Sequence, residues 1–150
     1  MTDNVNLRDV FLIAVGKIPG TDHTMPGLPG WKNCQDACRV EQSEHAIVLV
    51  VCDGNGSQPH SEVGAILSAQ LLARDIVDAI NLRVEFGIEI EIHEVLEEAR
   101  QSLMSLFRDL GKHLMGSFSD NANRYMLATA LVAVVTKAET VIAGIGDGYY

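Results

Sequence analysis

Hydrophobic residues recur along this chain in two periods, one typical of strands and one typical of helices. Near-continuous aliphatic runs predict strands at 10–15, 46–52, 125–135 and 140–145. The run at 46–52 is typical of a strand buried on both faces. Apolar residues spaced three and four apart predict helices from 61 to 80 and from about 90 to 114. The order is therefore β, long loop, β, β, α, α, β, β, which favours an α+β fold with an antiparallel sheet.

Glycine, proline and polar residues separate these elements. Residues 16–30 are dense in Gly and Pro, and a loop of this length in a compact domain is usually functional or disordered. Apolar and polar residues alternate too briefly in the segment 31–40 to distinguish a strand from a loop. We count this segment as the second strand of the predicted order. Ser61 is a suitable N-cap, and Glu62 places a negative charge at the positive end of the helix. No internal repeat or linker is visible, so we expect one domain over 1–150.

The composition indicates a folded, acidic domain. The chain has 150 residues, of which 47% are hydrophobic, and a formal net charge of −9 at pH 7. This charge argues against nucleic acid or an anionic membrane as the main partner, and it suits the attraction of divalent cations. No apolar run approaches membrane-spanning length, and Met1 is not followed by the basic start of a signal peptide. We therefore expect a cytoplasmic protein.

The cysteines are Cys34, Cys38 and Cys52. Three cysteines cannot all pair within one chain, so we interpret them as reduced thiols. Cys34 and Cys38 have a spacing that could begin a zinc site, but no second Cys or His pair follows at ligand spacing. We therefore expect no structural zinc.

The end of the 46–52 run carries the most chemistry, because it leads into Asp53 and the glycine-rich turn Gly54-Asn-Gly56. A carboxylate at the mouth of a buried strand is costly unless a cation meets it. Carboxylates and unshielded carbonyls are the oxygen ligands that Mg²⁺ and Mn²⁺ prefer. Asp36 and Asp147 also sit at predicted strand ends beside small residues, and three such carboxylates could hold metals for phosphoester hydrolysis. Taken singly, each aspartate is better explained as a turn residue.

Two other loop types share features with the same stretch. Asp53–Ser57 is similar to the start of a calcium loop, but Gln58 stands where that loop needs glycine and Gly64 where it needs glutamate. A nucleotide loop would need a Gly-Lys-Ser/Thr ending, and Pro59 occupies the third glycine position of a dinucleotide fingerprint. We exclude an EF-hand and keep nucleotide binding only as a minor alternative.

Three segments taken together resemble a known family. They are Asn33-Cys-Gln-Asp-Ala37, Cys52-Asp-Gly-Asn-Gly-Ser-Gln-Pro-His-Ser-Glu-Val-Gly-Ala65, and Leu127-Ala-Thr-Ala-Leu-Val-Ala133 with Ile145-Gly-Asp-Gly148. In this order they resemble the metal-dependent type 2C serine/threonine protein phosphatases, and most closely the bacterial branch. The resemblance covers about Ile13 to Tyr150.

The resemblance implies a four-layer α-β-β-α sandwich with a binuclear Mn²⁺ or Mg²⁺ centre between its sheets, of which this chain would supply about half. Asp53 would match the aspartate that bridges both metals, and Gly54 would lend its carbonyl to one of them. Asp36 would act through bound water, and Asp147 would lie near a third, more weakly held ion. The implied reaction is hydrolysis of phosphoserine and phosphothreonine in proteins by a metal-activated water. The implied partners are a phosphorylated protein and a cognate serine/threonine kinase.

The sequence departs from the family pattern at positions that matter for catalysis. Gln35 replaces an acidic residue that many members have directly before the aspartate, and Ala128 replaces the first threonine of a Gly-Thr-Thr motif. Asn55 stands where some members carry a histidine proposed as general acid. His60 is therefore our candidate for the proton donor.

Two further departures concern phosphate binding and length. No arginine precedes Asp36 at the usual spacing, so His23 and Lys32 are the candidate phosphate contacts. Family members continue through further strands that supply more metal-binding aspartates. An alternative hypothesis is therefore a catalytically inert phosphatase-like fragment that acts as a binding or regulatory module.

Overall fold

The computed structural model describes residues 6–18 and 34–146, which form a mixed α/β structure around one antiparallel sheet. Its strands neighbour one another in chain order and are β1 (Ala37–Gln42), β2 (Ala46–Gly54), β3 (Ala128–Thr136) and β4 (Thr140–Ile145). The helices are α1 (Leu7–Val10), α2 (Glu62–Glu85), α3 (Ile92–His113) and α4 (Phe118–Asn121), and a π-helical turn follows at Ala122–Met126. The two long helices are thus inserted between β2 and β3.

The two faces of the sheet differ in what covers them. Strand side chains alternate between faces, and in β2 Val50 and Cys52 are at most 1% exposed. Val50 pairs with Val132 and Cys52 with Ala130, so this buried set continues into β3. Val51, between them, faces the other side and is 55% exposed. We call the first side the core face and the second the open face, since neither long helix covers the latter. Its far end is shielded at Ile47, which is 1% exposed, where α1 contacts β2.

The long helices form the layer that covers the core face. The buried residues of α2 include Ala65, Ala69 and Ala73 at a spacing of four, and small side chains let a helix approach a sheet closely. The buried stripe of α3 runs from Ile92 to Phe107 at spacings of three and four, and α3 packs alongside α2. One hydrophobic core therefore joins the sheet to both helices.

Most of the predicted long elements are confirmed. The predicted helices at 61–80 and at about 90–114 correspond to α2 and α3, and α2 continues to Glu85. The predicted strands at 46–52 and 140–145 correspond to β2 and β4, and the ambiguous segment 31–40 becomes a strand from Ala37 onward. The expectation that β2 is buried on both faces is right at the start of the strand, where Ala46, Ile47 and Val48 are all buried. It is wrong further along, where Val51 and Asp53 are exposed.

The predicted first strand at 10–15 is wrong. A short helix ends at Val10, and residues 11–18 adopt no regular structure. The side chain of Asn6 caps this helix by accepting a hydrogen bond from Arg8 N at 3.0 Å. An aliphatic run becomes a strand only when a neighbouring strand supplies hydrogen bonds, and none of the described strands pairs with this segment.

Two boundaries also differ from the prediction. The strand predicted at 125–135 begins only at Ala128, because Ala122–Met126 continues the preceding helix as a π-turn. Ser61 occupies the N-cap position of α2 but makes no capping hydrogen bond with its side chain. Its hydroxyl instead donates to Asn55 O at 2.9 Å, so this serine serves the neighbouring loop rather than the helix.

The observed architecture agrees with the predicted fold class. One antiparallel sheet with the two long helices on one face corresponds to a sheet layer and a helix layer of the expected α-β-β-α sandwich. The expected long loop at 16–30 falls largely outside the described residues. Within the described ranges, no helix is both long enough and apolar enough to cross a membrane.

Candidate metal and phosphate site

Asp36 and Asp53 are neighbours at one end of the β1–β2 hairpin. Ala37 pairs with Cys52 in the antiparallel register, so Asp36 comes just before this pair on one strand and Asp53 just after it on the other. Both side chains are exposed, and both line a cleft of about 370 Å³. The hairpin register, which the sequence alone could not fix, therefore brings two of the predicted metal ligands together.

Asp53 also lines a second cleft, of about 420 Å³, on the side of β3. The other described walls of this cleft are Gly54–Gly56 and Leu127–Thr129. Thr129 is the cross-strand partner of Asp53, so the two side chains lie on the same face of the sheet. Asp53 thus stands between two clefts and is accessible from both.

Gly54 passes through a space in which no side chain fits. An ideal Cβ at Gly54 would lie 2.6 Å from the carbonyl oxygen of Gln35 and 3.0 Å from both the carbonyl oxygen and Oγ of Ser61. The next residue is fixed by a main-chain hydrogen bond from Asn55 N to Leu127 O at 3.1 Å. Glycine is therefore required here so that the backbone can leave Asp53 between Gln35 and Ser61.

Lys17 is a basic residue of the Asp36 cleft that sequence motifs did not indicate. Its Nζ donates a hydrogen bond to the main-chain oxygen of Asp36 at 3.0 Å, and its side chain lines the same cleft as both aspartates. An ammonium in the same cleft as two carboxylates lowers the net negative charge there and offers a contact for an anion. No local pattern marks Lys17, because only the fold brings it to a residue 19 positions away.

The donors at this site fit a hard divalent cation in type, but the described set is partial. The carboxylates of Asp36 and Asp53 and the carbonyl of Gly54 are oxygen ligands of the kind that Mg²⁺ and Mn²⁺ take. Within residues 6–18 and 34–146, no three His, Cys, Asp or Glu side chains form a group that could hold a metal ion. A metal ion here would need further oxygen donors, and Mg²⁺ usually takes several of them from water and substrate phosphate.

A sequence model of one family covers this arrangement except for Lys17. The model for Protein phosphatase 2C matches residues 20–150, which include both aspartates, the glycine turn and the two long helices. The chain belongs to the protein phosphatase 2C family. Comparison with curated proteins gives no match, and comparison with solved structures gives none either. The resemblance drawn from the motifs is therefore confirmed at the level of the family, while the bacterial branch stays a prediction.

His60 of this protein phosphatase 2C chain lies beside the clefts rather than in their described walls. Its ring stacks on Tyr125 with centroids 5.4 Å apart and planes 11° from parallel. Its Nδ1 is 3.8 Å from a carboxylate oxygen of Glu62. These contacts fasten the start of α2 to the π-helical turn, and the role of His60 as a proton donor stays a prediction.

Three predicted site residues, His23, Lys32 and Asp147, lie outside the described residues. All three fall inside the matched range 20–150. The described chain reaches the site at Gly146, whose φ is 119° and whose ideal Cβ would lie 2.6 Å from Thr129 Cγ2. Because Thr129 faces Asp53 across the strands, the end of β4 arrives beside the Asp53 cleft.

The three cysteines are free thiols, as predicted, but they differ in surroundings. Cys52 is fully buried on the core face, and burial raises the pKa of its thiol to about 12. Cys38 is partly buried and lines the cleft that holds Asp36 and Asp53. A thiolate at Cys52 is therefore unavailable near neutral pH, although this residue directly precedes Asp53.

Proposed function

We propose that this chain is a metal-dependent protein phosphatase that hydrolyses phosphoserine and phosphothreonine in proteins. The observation that carries the proposal is the position of Asp36 and Asp53 in one cleft at one end of the hairpin, in a chain of the protein phosphatase 2C family. Two carboxylates at a shared cleft form the kind of oxygen-rich site that divalent cations occupy in phosphoryl-transfer enzymes.

Asp53, the carbonyl of Gly54 and Asp36 would hold Mn²⁺ or Mg²⁺, and Asp147 would contribute near a third ion. When bound, the metal supplies a nucleophile at neutral pH and neutralises phosphate charge. The fold positions these ligands, because the β1–β2 register sets the spacing of the two carboxylates. The packing of Gly54 against Gln35 fixes the backbone that carries the third oxygen donor.

The phosphate would be contacted by basic residues around the Asp36 cleft. Lys17 already lies there, with its Nζ 3.0 Å from the main-chain oxygen of Asp36. We propose His23 and Lys32 as further phosphate contacts on the basis of the sequence. His60 is proposed to donate the proton to the leaving-group oxygen, and its ring stacks on Tyr125 beside the clefts.

Replacing Asp53 tests the proposal directly. We expect Asp53→Asn to lower kcat/KM for Mn²⁺-dependent hydrolysis of a phosphoserine or phosphothreonine peptide by about 100-fold or more, because an amide is a weaker metal ligand than a carboxylate. Asp78→Asn is a matched control, since Asp78 is an exposed aspartate in the middle of α2. Full Mn²⁺-dependent activity in Asp53→Asn would show that the metal assignment is wrong.

The second candidate function is a catalytically inert phosphatase-like module that binds or regulates another protein. The absence of a three-residue ligand group from the described ranges favours it. Calorimetric titration of the chain with Mn²⁺ separates the two candidates. Tight binding at two sites would contradict the inert module, and no measurable binding would contradict the phosphatase.

The finer expectations drawn from the sequence stay predictions. They are a cytoplasmic location, membership of the bacterial branch, and a cognate serine/threonine kinase as a partner. The net charge of −9 continues to argue against nucleic acid or an anionic membrane as the main partner.

A further inference from the structure

The loop that follows Asp53 is held from two sides by buried polar side chains. This 54–58 loop runs from Gly54, the last residue of β2, to Gln58, shortly before α2 begins at Glu62. On one side, Gln35 Nε2 donates a hydrogen bond to Gln58 O at 2.7 Å. On the other side, Ser61 Oγ donates to Asn55 O at 2.9 Å. Gln35 is 3% exposed and Ser61 is 0% exposed, so both donors are shielded from water.

Gln35 contacts the loop with its main chain as well as with its side chain. Its carbonyl oxygen would lie 2.6 Å from a Cβ on Gly54, and its Oε1 would lie 3.6 Å from a Cβ on Gly56. Oε1 is buried and accepts no hydrogen bond from any described residue. An unsatisfied buried acceptor costs stability. The amide of Gln35 therefore donates a hydrogen bond to the loop, while its unsatisfied oxygen lowers the stability of the fold.

The loop is also tied internally, so its conformation is fixed by several bonds at once. Asn55 Oδ1 accepts hydrogen bonds from Ser57 N at 3.1 Å and from Ser57 Oγ at 2.8 Å. Gln58 N donates to Asn55 O at 2.9 Å, the same oxygen that accepts from Ser61. The internal bonds shape the turn, whereas Gln35 and Ser61 fix where the turn lies relative to β1 and α2.

We infer that Gln35 and Ser61 are positioning residues for the Asp53 site. Gln35 directly precedes Asp36 in the sequence and holds the loop that directly follows Asp53. One side chain therefore links the backbone around the first carboxylate to the backbone around the second. The inference rests on the proposed metal site, because a fixed loop matters for metal affinity only if Asp53 and Gly54 bind the metal.

The test removes the amide of Gln35 while keeping the length of the side chain. In Gln35→Met without metal, we expect the backbone amides of Ser57 and Gln58 to exchange with solvent about tenfold faster or more. With metal, we expect the dissociation constant for Mn²⁺ to rise about tenfold by calorimetry. The midpoint of thermal unfolding should change little, because the variant loses one hydrogen bond but also one unsatisfied acceptor, and Gln58, whose oxygen loses its donor, is only partly buried. Ser61→Ala tests the other side of the loop and should raise both the exchange rates and the Mn²⁺ dissociation constant.

Ser43→Ala is the matched control at the opposite end of the hairpin. Ser43 is 5% exposed, and its Oγ accepts hydrogen bonds from His45 N at 3.1 Å and from Ala46 N at 3.0 Å. This variant should lower the unfolding midpoint and leave both loop exchange and Mn²⁺ affinity unchanged.

The outcomes below count against either the positioning role or the proposed function. Unchanged loop exchange in both Gln35→Met and Ser61→Ala would overturn the positioning role, and so would an equal loss of Mn²⁺ affinity in Ser43→Ala. A wild-type chain that binds no Mn²⁺ would overturn the proposed function, while the metal-free exchange rates would still decide whether these residues hold the loop.

Discussion

The core face and the open face of the sheet are built from similar residues in different surroundings. On the core face, Val48, Val50 and Val134 are at most 1% exposed. On the open face, Val51 is 55% exposed and Ile142 is 61% exposed, although both are also β-branched aliphatic residues. The difference comes from α2 and α3, which pack against the core face only.

The candidate chemistry lies on the side that the two long helices leave uncovered. Asp53 and its cross-strand partner Thr129 belong to the open face, whereas Cys52, one residue earlier, is buried on the core face. Because side chains alternate along a strand, Cys52 contributes to the core while Asp53, the next residue, is available for the candidate chemistry. A carboxylate can stay ionised and reach a metal only on the side where water and substrate have access.

The largest expected effect compares adjacent positions of β2. Val50→Asp places a charge on the core face and should lower the free energy of unfolding by more than about 4 kcal/mol, which is enough to unfold a marginal domain. Val51→Asp places the same charge on the open face and should cost about 1 kcal/mol or less. Urea unfolding measures both variants. A comparable loss in Val51→Asp would mean that the open face is covered in solution.

A second prediction concerns close packing around the helix layer. An ideal Cβ at Gly64 in α2 would lie 2.7 Å from Met126 Cα, whereas a Cβ at Gly16 would have no atom within 4 Å among those described. In Gly64→Ala we expect overpacking to lower the free energy of unfolding by about 1–3 kcal/mol. The better helix propensity of alanine should offset about 1 kcal/mol of this loss. Gly16→Ala should unfold at the same urea concentration as the wild type. Equal urea midpoints of unfolding for the two variants would contradict the close packing of Gly64 against Met126.

Thiol labelling sharpens the comparison without changing stability. Cys38 lies opposite Val51 on the open face and is partly accessible, whereas Cys52 is buried with a pKa raised to about 12 by burial. At pH 8 we expect iodoacetamide to modify Cys38 in the native protein, and to modify Cys52 only after denaturation. Mass spectrometry of peptides identifies the modified residues. Rapid native labelling of Cys52 would show that the helix layer opens easily.

The smallest effect is expected on the outer surface of the helix layer. Hydrogen bonds from Arg100, and then from Gln101, lower the pKa of Glu97 from 4.5 to about 2. Because the pKa of the folded state is depressed, this stabilisation is present above pH 4.5 and is lost as the pH falls towards 2. Glu97→Gln should therefore melt slightly below the wild type at pH 7 and together with it near pH 2. A difference that persists at pH 2 would indicate another cause.

Sequence reasoning was most accurate where a local pattern alone decides the structure. The spacing of apolar residues predicted α2 and α3 because amphipathic periodicity extends over many turns. It was wrong at 10–15, where a strand would have needed a pairing partner. It also missed Lys17, because no motif records a contact between a side chain and the main chain of Asp36.

The sequence by itself determined the family, the long helices, the central strands and the aspartates to consider, since these follow from local order and composition. The tertiary structure decided which of these residues meet. The register of β1 on β2 brought Asp36 beside Asp53, and the packing of Gln35 and Ser61 around Gly54 fixed the loop between them. Such relations depend on backbone pairing and close contact between distant segments, and a one-dimensional pattern carries no direct record of either.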